Sequence, residues 1–251
     1  MKIIDNLKKI LNNFEDLFLS SHTCISCDIE IPDGSSYQLC DKCYNQLNKI
    51  SSHVCEICGD KLDDGNLNIK ICDSCKDKNY EFNSNHSFCY YDDISSNLIK
   101  KFKYSGKRYY ARYLAKLMSK NKEIFDDVDI ITFVPISKKG RAERGFNQAE
   151  ELAKEISNLT KIPVENLLTK SKTSKHQARL TQSARLQNLI DSFSVIQDKL
   201  NKIRGKNILI IDDVFTTGTT LSECAKALKN LKPKMIKTYT FAKTDFNSIN
   251  N

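Results

Sequence analysis

Eight of the ten cysteines fall into four pairs, each with two residues between its members: Cys24 and Cys27, Cys40 and Cys43, Cys55 and Cys58, Cys72 and Cys75. Two intervening residues let a tight turn aim both sulfurs at one ion, with backbone amides supporting the thiolates. Four thiolates then complete a tetrahedral zinc shell, so eight ligands imply two zinc ions. Twelve residues separate the pairs in the first half and thirteen in the second, a near repeat. That repeat suggests a sequential assignment, one ion per half. Spacing alone leaves a cross-braced pairing open, and an iron–sulfur cluster is a further alternative. Neither set leaves a position for a catalytic water, so the metal is read as structural, helping to fold a stretch with little apolar core. Gly59, directly after Cys58, suits such a turn because glycine tolerates positive φ. His22 and His53 each precede a pair by two residues and could replace a ligand, although with eight thiols available this is the minority reading. Cys89 lies in a strand-like pattern and Cys224 in a helix-like one, which reads as buried and inert.

A second constellation occupies residues 207–220, N-I-L-I-I-D-D-V-F-T-T-G-T-T. Its apolar run is what a central strand covered on both faces requires. The run leads into Asp212 and Asp213, then Thr216, Thr217, Gly218, Thr219 and Thr220, and a helical pattern follows with Leu221, Cys224, Ala225 and Leu228 on one stripe. Strand, short hydroxyl-and-glycine loop, helix start: free amides and the helix dipole make this an anion site suited to phosphate. Gly218 is expected to let the backbone approach a ligand closely. Two carboxylates beside a phosphate loop would repel the ligand unless they meet hydroxyl groups or Mg²⁺. A sugar phosphate with a vicinal diol satisfies both demands. The lysine of a Walker A loop is absent.

The elements that must carry these groups are visible in charge and periodicity. Residues 1–80 hold nine lysines and thirteen acids, a balance of −4, whereas residues 81–251 reach +12. This asymmetry suggests two units with different tasks: a zinc-binding domain over 21–80, preceded by an amphipathic helix over 1–20, and a basic domain over 81–251. In the basic part, strand-like runs at 86–91, 129–134, 167–169, 207–211 and 235–241 alternate with helical patterns at 95–103, 107–120, 147–158, 183–189 and 219–231. Alternation of this kind predicts an α/β fold with a mainly parallel sheet and crossover helices. Hydrophobic residues at 40% and charged residues at 28% exclude wholesale disorder. No apolar run reaches the roughly 18 residues of a membrane span. The first twenty residues are too charged for an export signal, and ten cysteines without one indicate thiolate chemistry in a reducing compartment, the cytoplasm.

The segment I-L-I-I-D-D-V-F-T-T-G-T-T resembles the phosphoribosyl-pyrophosphate (PRPP) signature of type I phosphoribosyltransferases. Two further stretches resemble the ComF family of competence-associated phosphoribosyltransferase-like proteins: R-A-E-R-G-F-N-Q at 141–148, and L-I-K-K-F-K-Y-S-G at 98–106. Paired cysteines also precede the transferase domain in ComF relatives. The resemblance implies a type I phosphoribosyltransferase-like domain with a hood loop, behind a small zinc-binding domain. It implies that Asp212 and Asp213 hold the ribose hydroxyls, directly or through Mg²⁺, and that Thr216, Thr217, Gly218, Thr219 and Thr220 take the 5′-phosphate. Pyrophosphate is placed after the strand at 130–134, at Ser137 and Lys138, with Lys139 adding charge. Residues 166–190 carry no acid but contain Lys170, Lys172, Lys175, Arg179 and Arg185. Within them, Gln177, Leu180, Arg185 and Asn188 match the family pattern of the mobile hood, which excludes water from a carbon that water would attack. The implied reaction moves the phosphoribosyl group of PRPP to an unidentified acceptor with release of pyrophosphate, Mg²⁺ and basic groups stabilising the leaving group.

A second function competes with the enzyme. ComF proteins are linked to natural transformation, the uptake of single-stranded DNA, and the +12 part suits a polyanion. Arg141, Arg144 and Lys103 are its candidate nucleic-acid contacts. Lys100, Lys101, Lys107 and Arg108 stand nearby, and Phe102, Tyr104, Tyr109 and Tyr110 are interleaved for base stacking. A competence helicase or primosomal protein is the partner the zinc unit would position. The intact Asp212–Asp213 pair favours retained PRPP binding, because a pure DNA binder gains nothing from two acids in its anion loop.

Overall fold

The chain forms two compact units that divide between Gln46 and Leu47, Met1–Gln46 and Leu47–Asn251. The computed structural model describes residues 22–32, 35, 37–50, 53–62, 66–170 and 193–245. The helices expected over 1–20 and 183–189 lie outside the described residues, as do Lys172, Lys175, Gln177, Arg179, Leu180, Arg185 and Asn188 of the expected hood. Among the described residues no helix is long and apolar enough to cross a membrane.

The two cysteine halves fold by the same local rule, one in each unit. In the first, Cys24 N–H bonds Ile29 O at 2.8 Å and Ile31 N–H bonds His22 O at 2.7 Å, closing a turn around Cys24 and Cys27. Cys43 sits on helix α1 (Asp41–Gln46). In the second, Cys55 N–H bonds Asp60 O at 2.7 Å and Leu62 N–H bonds His53 O at 3.0 Å. Cys75 sits on helix α2 (Asp73–Lys76).

The second unit is built on a four-stranded parallel sheet in the order β1-β6-β5-β2: β1 (Ser84–Tyr90), β6 (Met235–Lys243), β5 (Asn207–Phe215) and β2 (Ile130–Phe133). Central strand β5 is apolar and buried from Ile208 to Ile211, as a strand covered on both faces must be. Helix α3 (Asp93–Tyr104) follows β1. Asp92 caps it, accepting from Ser95 N–H at 2.8 Å while Ser95 Oγ accepts from Asp92 N–H at 2.8 Å. Its apolar face buries Leu98, Ile99 and Phe102. Helix α4 (Tyr110–Met118) packs against a later helix, α6 (Gln148–Thr160), and α6 lies against β2 and β5. Between β2 and α6 comes a two-turn helix, α5 (Lys138–Arg144). β3 (Leu168–Lys170) and β4 (Phe193–Val195) form a small antiparallel pair, and helix α7 (Thr219–Lys229) packs on β4 and β5. The architecture is the α/β arrangement with a parallel sheet that the alternating pattern implies, and two four-cysteine clusters precede the sheet in sequence.

Three local features depart from the sequence expectation. β5 continues through the two acids to Phe215, because β6 keeps pairing as far as Phe215↔Lys243. The segment after Ser137 is a helix and not an open loop. Ser137 Oγ accepts from Gly140 N–H at 3.0 Å, and Gly145, at φ 78°, ends it in the left-handed conformation. The third is the contact of the second cysteine turn with β1, which no sequence pattern suggests. The second cysteine turn shares a compact unit with the sheet. Asn85 on β1 donates through Nδ2 to Cys58 O at 2.9 Å and through its backbone N–H to Ile57 O at 2.7 Å.

Gly59 marks that junction. It adopts φ 68°, and a Cβ there would lie 2.6 Å from the carbonyl oxygen of Asn85. Backbone cannot withdraw as a side-chain tip can, so strain and clash add. Gly59→Ala is expected to lower the free energy of unfolding by about 2–4 kcal/mol, measured by urea denaturation followed by circular dichroism.

Candidate functional site

The pairing of β5 with β6 carries Asp212 and Asp213 to the carboxyl-terminal end of the sheet, where open α/β folds bind ligands. Successive strand residues face opposite sides, so the two acids meet different surroundings. Asp213 Oδ2 receives Lys103 Nζ from α3 at 2.7 Å, with both side chains mostly buried. Asp212 is desolvated, and the charge of Asp213 adds to that burden. Together they push its carboxyl up to about 8, against the Asp213 N–H bond and the fields of Lys103 and Lys170. The pair thus joins a carboxylate locked by an ammonium to a carboxyl that holds its proton near neutrality.

The loop that follows is held from behind. Tyr80 Oη donates to Thr217 O at 3.1 Å, Thr244 N–H to Phe215 O at 2.9 Å, and Thr244 Oγ1 to Thr216 O at 3.4 Å. Those bonds engage carbonyl groups. At the other end the N-cap, Gly218, has no side chain to cap α7; Thr217 Oγ1 accepts from Thr219 N–H at a long 3.4 Å, and the hydroxyls of Thr217 and Thr219 meet each other at 2.8 Å. Amide and hydroxyl hydrogens at a helix N-terminus are what an anion seeks. Gly218 is the N-cap, at φ 76°. Its glycine requirement has a source the sequence did not disclose. A Cβ there would lie 2.6 Å from Phe215 Cζ and 2.7 Å from Tyr80 Cε1, so packing beneath the loop, as well as backbone conformation, demands glycine.

A second loop leaves β2 beside the first, for Val134 N–H bonds Ile211 O at 3.0 Å. It opens onto a cavity of about 660 Å³ lined by Ser137, Lys138, Arg141, Asn147, Thr169 and Lys170, among others. Ser137 caps α5, while the ammonium of Lys139 reaches Glu143 at 3.8 Å. Lys170 joins the two halves: it lines this cavity and its charge also acts on Asp212.

The candidate nucleic-acid contacts are engaged in different ways. Lys103 turns its ammonium onto Asp213. Arg141 pairs with Glu150 at 2.7 Å. Phe102 and Tyr110 are core residues. Arg144 lies 6.0 Å above the ring of Tyr104, which is 73% exposed, and this is the part of the cation–aromatic pattern that faces solvent.

The cysteines assemble sequentially. Cys24, Cys27, Cys40 and Cys43 bring their sulfurs within 4.8 Å of one another, and so do Cys55, Cys58, Cys72 and Cys75. The Cys27–Cys40 and Cys58–Cys72 sulfur separations are 3.8 and 3.7 Å. A tetrahedron with Zn–S bonds of about 2.3 Å has edges of about 3.8 Å, so the residues fit zinc. Backbone amides support the sulfurs, Cys43 N–H to Cys40 Sγ and Cys72 N–H to Cys55 Sγ, both at 3.4 Å. Each cluster has one readily ionised thiol. Cys55 is lowered to about 4, chiefly by its hydrogen bond with Cys58. Cys24 reaches about 7 because backbone bonds from Cys27 and Cys40 outweigh burial. The neighbours resist: burial raises Cys43 and Cys75 to about 12, and the Cys55 bond drives Cys58 upward. A divalent cation removes that conflict, as a closed structural site requires.

Sequence reasoning reached the acids, the threonine loop and all eight thiols, but not Tyr80, Thr244 or the task of Lys103. Tyr80 precedes β1 and Thr244 follows β6, both far from the loop in sequence, and no local pattern marks them.

Comparison with known proteins agrees with this geometry. Residues 108–246 match the family model described as phosphoribosyl transferase domain, and residues 15–77 match the double zinc ribbon domain. Competence protein F of Haemophilus influenzae is 28% identical over 212 residues, covering 82% of this chain and 90% of that protein. Competence protein ComFC of Bacillus subtilis is 25% identical over 220 residues, covering 82% and 88%. DNA utilization protein YhgH of Escherichia coli is 24% identical over 212 residues, covering 82% and 89%.

Two outcomes follow. Metal analysis of the purified chain is expected to give two zinc ions, falling to one in Cys58→Ser. The raised carboxyl of Asp212 also makes stability depend on pH. An acid whose folded value lies above its unfolded value of about 4 destabilises the fold progressively as pH rises from 4 to 8 and leaves it untouched below. Asp212→Asn is therefore expected to stabilise the ligand-free protein by on the order of 2–4 kcal/mol at pH 7, with the gain vanishing near pH 4. Thermal unfolding across that range is the measurement.

Proposed function

We propose, from the premise that this chain belongs to the phosphoribosyl transferase domain family, that it binds PRPP and transfers its phosphoribosyl group to an acceptor, in the service of competence. One observation carries the reading: Asp212 and Asp213 stand at the end of β5, the second anchored by Lys103, and lead directly into a helix start whose N-cap, Gly218, has no side chain to occupy its amides. The amides and hydroxyls of Thr216, Thr217, Gly218, Thr219 and Thr220 take the 5′-phosphate. Asp212 and Asp213 receive the ribose diol, Asp212 surrendering its proton as the hydroxyls and accompanying cation arrive. Ser137 and Lys138, in the cavity after β2, take the pyrophosphate end, and Lys170 adds charge between the two loops. Mg²⁺, bound with the substrate, would neutralise charge building on the departing pyrophosphate. The acceptor, an incoming nitrogen nucleophile in this reading, forms its bond to C1 of the ribose as the C1–O bond to pyrophosphate breaks.

The names of the relatives support the cellular setting: two are competence proteins and one a DNA utilization protein. We place the chain's work in the cytoplasm, alongside incoming single-stranded DNA and a helicase or primosomal partner. Direct DNA binding has narrower support, because Lys103 and Arg141 are engaged with acids, while Arg144 lies over the exposed ring of Tyr104.

A thermal-shift titration with Mg-PRPP tests the pocket. At a ligand concentration of about 100 times Kd the wild type is expected to gain about 2.7 kcal/mol, roughly 5–10 °C in Tm. Asp212→Asn/Asp213→Asn is expected to show no gain. Absence of a shift in both proteins withdraws the reading.

A further inference from the structure

Lys243 ends β6 with a side chain that is entirely buried, a place a charged amine takes only with partners. Its Nζ lies 3.2 Å from Asp60 Oδ1 and 3.9 Å from Cys58 Sγ, inside the turn of the second cysteine cluster. Asp60 is held in turn by Tyr90 Oη, which donates to it at 2.8 Å. On its other side the ammonium lies 5.7 Å from the centroid of Phe215. Phe215 is the last residue of β5, and its ring fills the space beside Gly218 and packs edge-on against Tyr80, 6.3 Å between centroids. Tyr80 bonds the carbonyl of Thr217. A continuous chain of contacts therefore runs from a cysteine sulfur to the anion loop.

Four thiolates around one divalent ion leave a net negative charge, and the carboxylate of Asp60 adds to it. In a site closed to water such charge needs a counter-ion within the protein. Lys243 is the cation within reach of both the sulfur and the carboxylate. We propose that Lys243 is the outer-sphere cation of the second cluster and that, through Phe215 and Tyr80, it makes the placement of the anion loop depend on metal at that cluster. Lys243 touches no reacting atom in this account; it is a positioning residue.

The test uses the full chain carrying zinc, or cobalt as a spectroscopic stand-in. Lys243→Met alone strands Asp60 without its counter-charge, so Asp60→Asn/Lys243→Met, which removes both charges together, carries the comparison. The double variant is expected to fold and bind two metal ions, and to release one of them to a chelator about tenfold more readily than the wild type. Its sulfur-to-cobalt charge-transfer band is expected to move to lower energy, because a thiolate without a nearby cation gives up electron density more easily. An unchanged band and an unchanged chelator midpoint overturn the assignment, since a merely structural ion pair moves neither. Amide hydrogen exchange in the wild type reads the loop. Withdrawing zinc from the second cluster is expected to speed exchange at 216–221 about tenfold while 207–211 stays protected. No change at 216–221, or an equal rise along all of β5, overturns the coupling. Neither readout involves PRPP, so failure of the substrate reading would leave these results standing.

Discussion

The pairing of β5 with β6 does not stop where the apolar residues stop. It runs on through Asp212↔Thr240 and Val214↔Ala242 to Phe215↔Lys243, and the rest of the site depends on that extra length. Two adjacent acids at the tip of a free strand would turn to water and separate. Held in register, they cannot: one is turned against Lys103 and the other remains in a desolvated position where a second negative charge is unwelcome. The same extension fixes where the threonine loop begins and supplies the strand end from which Thr244 reaches back to it.

This arrangement leaves the ligand-free protein under electrostatic tension, in the way binding sites for charged, polyhydroxylated molecules commonly are. Burial and repulsion oppose ionisation of Asp212, whereas hydroxyl donors and a cation favour it. The sheet positions Asp212 without neutralising it, and the proposed substrate would complete what the fold leaves open. Around the cysteines the logic is similar but the remedy differs. Thiols that compete for ionisation are reconciled by a single ion, and that ion becomes part of the structure.

Much of this was readable from sequence, and the reasons differ by feature. The paired cysteines and the D-D-x-x-T-T-G-T-T run are local in sequence because a metal-binding turn and a strand–loop–helix corner are local in space. Alternating apolar runs gave the parallel sheet for the same reason: each strand's pattern is set by its own burial. What escaped is non-local. β4 is three residues long, too short for a period to register. Helix α5 reads as a charged loop because none of its residues is buried, and caps at its two ends, Ser137 and Gly145, define it in place of an apolar face. Lys103 resembled a surface cation among aromatics, yet its helix delivers it to a carboxylate more than a hundred positions away. Charge composition suggested a border near residue 80. It could not reveal that Asn85 and Gly59 stitch the second cysteine turn to β1 through backbone contacts.

That stitching limits how such a protein can change over time. The turn at Cys58 provides a carbonyl for Asn85, a close berth for the Asn85 backbone and a counter-charge for a lysine sealed inside the sheet. A descendant that discarded the second pair of cysteine turns would inherit an ammonium with nowhere to go, so position 243 would have to become apolar in nearly the same step, with 59, 60 and 85 released together. Loss of the second set of cysteine ligands across distant relatives should therefore come only as a block, together with Lys243.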